Sequence, residues 1–112
     1  MTKYSSKELD NVYHSLANAT RRKILTRLCK SSFTISELAK PFDMSLAAVS
    51  KHIKTLEKAG LITKTRDNAT FRCEISLAPI ASAAALIHFL ESHHASTQDE
   101  TSVKAPVETT AA

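Results

Sequence analysis

Lys51, Lys54 and Lys58 recur at helical spacing behind a small-sided stretch, Ser45-Leu46-Ala47-Ala48, and that succession is where the sequence first offers chemistry. If the segment is a helix, Val49, Ile53 and Leu56 form its inward stripe, and Ala47, Ala48, Ser50, Lys51, Lys54 and Lys58 fall on outward or flanking positions. Small residues at a leading end let a backbone come close to base edges, and lysines farther along reach phosphates. The expected contact set for a nucleic-acid major groove is Ser45, Ala47, Ala48, Ser50, Lys51 and Lys54. An amphipathic helix with a solvated lysine face has the same pattern, so this helix alone leaves both readings open.

A second set follows. Leu61 to Arg66 and Thr70 to Ser76 are rich in β-branched residues and are separated by Asp67-Asn68-Ala69, which is hairpin-turn chemistry. Phe71, Cys73 and Ile75 alternate with polar residues, so one face should lie on the helices. Arg66, Asn68, Thr70 and Arg72 are the candidates for contact along a duplex backbone or in a minor groove. The competing reading is a structural hairpin with incidental arginines.

The remaining reactive residues point less far. His88 with Glu91, and Glu91 with His94, have metal-compatible spacing, and His93 is adjacent; solvated histidines near a helix end explain the same residues. Cys29 and Cys73 do not make a disulfide framework and are expected as buried free thiols. His52, beside the inward stripe, is expected to pack or cap, and His14 has no evident partner. No Ser/His/Asp set, Gly-rich phosphate loop or carboxylate pair occurs, so neither catalysis nor a cofactor is expected.

The elements that must position these residues are marked by their caps. Thr34 with Glu37 is a capping box flanked by Phe33 and Leu38, which predicts a helix over 34–40, stopped by Pro41 because a residue before proline is pushed out of the helical region. Ser45 caps the lysine-bearing helix, with Met44 and Val49 as its staple, and Gly60 ends it. The product is a helix-turn-helix. Ser5 with Glu8 repeats the box, with Tyr4 and Leu9 as staple, and opens a helix over 5–17 carrying Leu9, Val12, Tyr13 and Leu16. Asn18 caps a helix over 19–30 whose Arg21, Arg22, Lys23, Arg27 and Lys30 are expected to be mainly outward, either solvated or lending support to phosphate contacts. Pro79 suits the first turn of a last helix reaching about His94, with Ile80, Ala84, Ile87 and Leu90 among its apolar residues. That helix is too apolar to pack on one side only. With Leu9, Val12, Tyr13 and Leu16 it should pair with the same helices of a second copy in a two-fold homodimer.

Composition agrees with this. One glycine and three prolines in 112 residues favour helix. Residues 1–94 hold 14 Lys/Arg against 8 Asp/Glu, whereas residues 95–112 hold 1 against 3, so the excess positive charge lies on the expected domain. Residues 95–112 are polar and Thr/Ala-rich and should be disordered. No apolar run reaches bilayer length and no secretory signal opens the chain, so neither a membrane nor export is expected and a cytoplasmic location is.

Over about residues 8–92 the chain resembles the ArsR family of small dimeric winged-helix transcriptional repressors. The resemblance is carried by Leu16-Ala17-Asn18-Ala19-Thr20-Arg21-Arg22-Lys23-Ile24-Leu25 and by Ser50-Lys51-His52-Ile53-Lys54-Thr55-Leu56-Glu57-Lys58-Ala59-Gly60-Leu61. It implies a mainly α winged helix-turn-helix of five helices with a two-stranded β wing, dimeric through its first and last helices. It also implies operator DNA read by Ala47, Ser50, Lys51 and Lys54. Where relatives often carry polar side chains, this chain has Leu46, Ala47 and Ala48, which favours contact with thymine methyls. The family's metal motifs are not met: residues 34–40 hold no Cys or His, and residues 81–85 supply no ligand. The expectation is a repressor binding double-stranded DNA at an inverted repeat, its effector unknown. A winged-helix protein-interaction module that does not touch DNA, and a repressor under metal or thiol control, are the alternatives.

Overall fold

The computed structural model describes residues 5–94. Their elements are α1 (Ser6–Leu16), α2 (Ala19–Leu28), β1 (Phe33–Thr34), α3 (Ile35–Ala39), α4 (Leu46–Lys58), β2 (Ile62–Asp67), β3 (Thr70–Ile75) and α5 (Ala78–His93). Tyr4 and the tail over 95–112 lie outside the described residues.

Each of the first four helices starts where its cap predicts. The Ser5 hydroxyl accepts from the Glu8 amide at 3.1 Å while Glu8 Oε1 accepts from the Ser5 amide at 2.7 Å. Thr34 and Glu37 repeat the exchange at 3.2 and 2.8 Å. Asn18 and Ser45 cap singly, through the amides of Arg21 and Ala48. Each such cap satisfies a donor that a helix start otherwise leaves without a partner. The ends depart from expectation in two places. α2 stops at Leu28, two residues early. Lys40 keeps helical backbone angles, φ −49° and ψ −47°, although Pro41 follows it; the chain leaves the helix through a Phe42 amide bond to the Ala39 carbonyl at 3.0 Å.

α4 ends in a Schellman motif. The Gly60 amide donates to Glu57 and the Leu61 amide to Leu56, at 3.0 and 2.9 Å, with Gly60 at φ +82°. The chain then enters β2 directly.

The sheet has three antiparallel strands in the order β1-β3-β2, where a two-stranded hairpin was expected. The added strand is the Phe33-Thr34 pair ahead of α3, which registers with Cys73 and Arg72. It sews the wing onto the helix-turn-helix.

The core gathers under α4. Ile24, Leu38, Val49, Ile53, Leu56 and Leu61 are fully buried, and each contributes about 2 kcal/mol relative to exposure. Val12, expected in the dimerisation set, is instead 1% exposed within this chain's own core, because α1 crosses α2, α4 and α5. Leu9, Tyr13, Leu16 and Ile80 pack against that core half-buried, and the Tyr13 hydroxyl donates to the Ala83 carbonyl at 2.7 Å, locking α1 to α5. The far half of α5 is bare: Leu86, Ile87, Phe89 and Leu90 are 40–58% exposed, and Ala84 is exposed beside them.

Candidate nucleic-acid interface

The core fixes which side of α4 faces out. With Val49, Ile53 and Leu56 at 0% exposure, Ala47, Lys51, Lys54 and Lys58 lie outward, and Ala48 and Ser50 are half-buried at the flank. Ser45 is exposed, but its hydroxyl oxygen is engaged as the cap. Met44, expected as a staple, is 37% exposed, and Leu46 is 52% exposed.

The wing has a two-residue tip. Asp67 pairs with Thr70, and Asn68 takes φ +61°, a left-handed angle that Asn tolerates better than most side chains. Arg66 Nε donates to the Asn68 carbonyl at 3.1 Å and Thr70 Oγ1 to the Asp67 carbonyl at 3.3 Å, so Arg66, Asn68 and Thr70 gather at one exposed end. Phe71, expected against the helices, lies on the same sheet face as Cys73 but beyond their reach, 42% exposed. Its ring is covered by cations instead, the Arg66 guanidinium at 5.2 Å and the Lys64 ammonium at 5.6 Å.

Arg72 stands two residues in from Thr70 on β3, and its side chain is drawn toward β1 and α3. Its Nη1 donates to the Ser32 carbonyl and hydroxyl at 3.1 and 3.2 Å, and its guanidinium lies 3.7 Å from Asp67 and 4.0 Å from Glu37. The Thr34 amide above all holds the Glu37 carboxyl below the usual carboxylate range; burial opposes it, and the Arg72 charge, the Thr34 hydroxyl and the Lys40 charge add lesser pulls downward.

The arginines of α2 are not a solvated face. Arg21, expected outward, is 9% exposed; Nε donates to Ser15 O at 2.8 Å and Nη2 to His14 O at 3.0 Å. Arg22 donates to Leu16 O at 2.7 Å, and Arg27 reaches Glu37 O at 2.9 Å with its guanidinium 4.6 Å above the Phe33 ring. The carbonyls at the end of a helix run short of backbone donors, here with one capping bond from the Ala17 amide to His14 O, and a link of only Ala17-Asn18 puts the first turn of α2 beside them. That short link was the available signal.

Arg21 Nη1 also meets His52 Nδ1 on α4 at 3.2 Å. A guanidinium can only donate, so Nδ1 accepts and the neutral imidazole carries its proton on Nε2. Burial first, then the Arg21 charge, pushes the His52 pKa below 6.5. His52 thus packs as expected, as the link between α4 and the α1–α2 junction.

Of the remaining groups, Cys29 is exposed where a buried thiol was expected, because α2 has already ended. Cys73 is buried, which pushes its thiol pKa up. His88 Nδ1 lies 3.9 Å from Glu91, and the His93 ring stacks on Phe89 with centroids 4.1 Å apart. Among the described residues no three His, Cys, Asp or Glu side chains converge as a metal would require, and no helix is long and apolar enough to cross a membrane.

Comparison with known proteins agrees with this geometry. Residues 16–65, from the end of α1 through β2, match a family described as a helix-turn-helix domain. The HTH-type transcriptional regulator Rv2034 of Mycobacterium tuberculosis is 40% identical over 53 residues, 47% of this chain and 50% of that protein. The transcriptional repressor SdpR of Bacillus subtilis is 33% identical over 58 residues, 52% of this chain and 64% of that protein. The chain therefore spans only half to under two thirds of these relatives. Among solved structures, the homodimeric winged helix-turn-helix DNA-binding domain Mb0332 of Mycobacterium bovis shares the fold at TM-score 0.60, with 23% identity over 84% of this chain and 98% of that one. The crystal structure of an ArsR family transcriptional regulator superimposes at TM-score 0.75 with 36% identity, covering 82% of this chain and 94% of that chain. With that identity over nearly the whole of a family member, and with a wing sewn to a helix-turn-helix, the chain belongs to the ArsR family of transcriptional regulators.

Proposed function

We propose that the protein is a dimeric, sequence-specific DNA-binding repressor, acting in the cytoplasm without catalysis. The observation that carries this reading is the outer face of α4, small at its leading end and basic behind, joined in one chain to a wing tip that carries Arg66, Asn68 and Thr70. Ala47, Ala48 and Ser50 approach base edges, Ser45, Lys51 and Lys54 hold phosphates, and the wing tip follows the backbone. Arg72, held by Ser32, Asp67 and Glu37, orients the wing and adds its charge along the duplex backbone. The likeness to SdpR, a repressor, supports the direction of regulation. Dimerisation is supported by the bare apolar half of α5 and by the homodimeric Mb0332. In it, Leu9, Tyr13, Leu16, Ile80, Ala84, Ile87 and Leu90 line or back the two-fold interface. Two α4 helices then enter successive major grooves about 34 Å apart, on an inverted repeat.

The test is an anisotropy titration of duplexes from the promoter of the protein's own transcription unit, repeated over a range of salt concentrations. Each neutralised phosphate adds about −0.9 to the log-log slope, so a steep negative slope is expected, reduced by about one in Lys51→Ala. A slope near zero contradicts the reading.

A further inference from the structure

The leading end of α4 has an unusual surface for a helix aimed at base edges. Residues 44–50 read Met-Ser-Leu-Ala-Ala-Val-Ser and include none of the Arg, Lys, Asn, Gln, Asp or Glu side chains that make the usual hydrogen bonds to base edges in the major groove. Ser45 is engaged as the helix cap and Ser50 is half-buried. Apart from Ser45, what stands exposed is apolar: Leu46 at 52%, Met44 at 37%, and Ala47. Neither Met44 nor Leu46 belongs to the core or to the side chains packed against it. Leu46 opens the first turn of the helix whose outward positions carry Lys51 and Lys54, so the patch shares an element with charge that suits a polyanion.

We infer that α4 reads sequence by methyl contact, with Leu46, flanked by Met44 and Ala47, packing on thymine C5 methyl groups. Thymine is the base that presents an apolar group in the major groove. The inference rests on the DNA-binding reading above and names what that surface discriminates: T·A pairs within each half-site, distinguished from C·G by the methyl.

The test begins with the full chain selecting duplexes from a random-sequence library. The selected duplex is then resynthesised with deoxyuridine in place of thymine within the half-sites, which removes methyls and leaves every phosphate. Each contacted methyl lost weakens binding about fourfold, and the salt slope stays unchanged. Leu46→Ala, at a position outside the core, brings the thymine-to-deoxyuridine ratio toward one. Equal affinity for the two duplexes, or half-sites without thymine, overturns the inference while DNA binding stands. Failure to enrich any duplex overturns the DNA-binding reading and this inference with it.

Discussion

Arg21 is a cation with little access to water that holds two carbonyls of α1 and an imidazole of α4 at once. Arg21→Ala removes three hydrogen bonds from a semi-buried junction, leaving the His14 carbonyl only its bond from the Ala17 amide, and a loss of about 3 kcal/mol in urea unfolding is expected. Arg21→Lys recovers little, because an ammonium cannot span the fork that a guanidinium fills. His52 adds a pH dependence with a defined sign. Folding keeps its pKa below 6.5, so as pH falls through that value the unfolded chain binds a proton that the folded chain refuses. His52's contribution is therefore complete above about pH 6.5 and is lost progressively toward its lower folded pKa. Unfolding free energies measured from neutral pH to about pH 5 should show this decline, and His52→Gln should flatten it. The Glu37 carboxyl, whose pKa is also lowered, loses its contribution only below the carboxylate value of 4.5, so the two windows are separable.

At the scale of elements, the turn from α4 into the wing depends on Gly60. Its φ of +82° disfavours any side chain, and a Cβ there would stand 3.3 Å from Pro79 Cγ at the start of α5. Gly60→Ala is expected to lose about 1–2 kcal/mol, with a melting temperature lower by about 4–8 °C for each kcal/mol. This glycine, the two capping boxes and the hairpin turn were legible in the sequence because each is a local signal, complete within a few residues. The third strand was not, since a two-residue strand has no periodicity and its partner Cys73 lies 40 residues away. The arginines of α2 misled for a related reason: charge pattern favours solvent, and only the packing of α1 against α2 shows that carbonyls await them. Within the candidate site, the outward face of α4 followed from its apolar stripe. The hydrogen bonds that hold Arg72 depended on where Ser32 folds, which no local pattern shows.

At the scale of the whole molecule, the far half of α5 gathers four of the exposed large apolar side chains among the described residues, between 40% and 58% exposed. Leu90→Glu sets a charge in that face without disturbing the monomer's core. Sedimentation should then report a single chain, circular dichroism should be unchanged, and affinity for a duplex carrying two half-sites should fall at least tenfold. A variant that stays dimeric would move the interface elsewhere. The leading end of α4, the end proposed to face DNA, is organised on the opposite principle, because Met44, Leu46 and Ala47 lie outside the core and outside the side chains packed against it. Exchanges at such positions alter stability by about 0.5 kcal/mol or less. After gene duplication, one copy could therefore acquire a new promoter preference through a handful of substitutions, while its scaffold and its choice of partner were inherited intact.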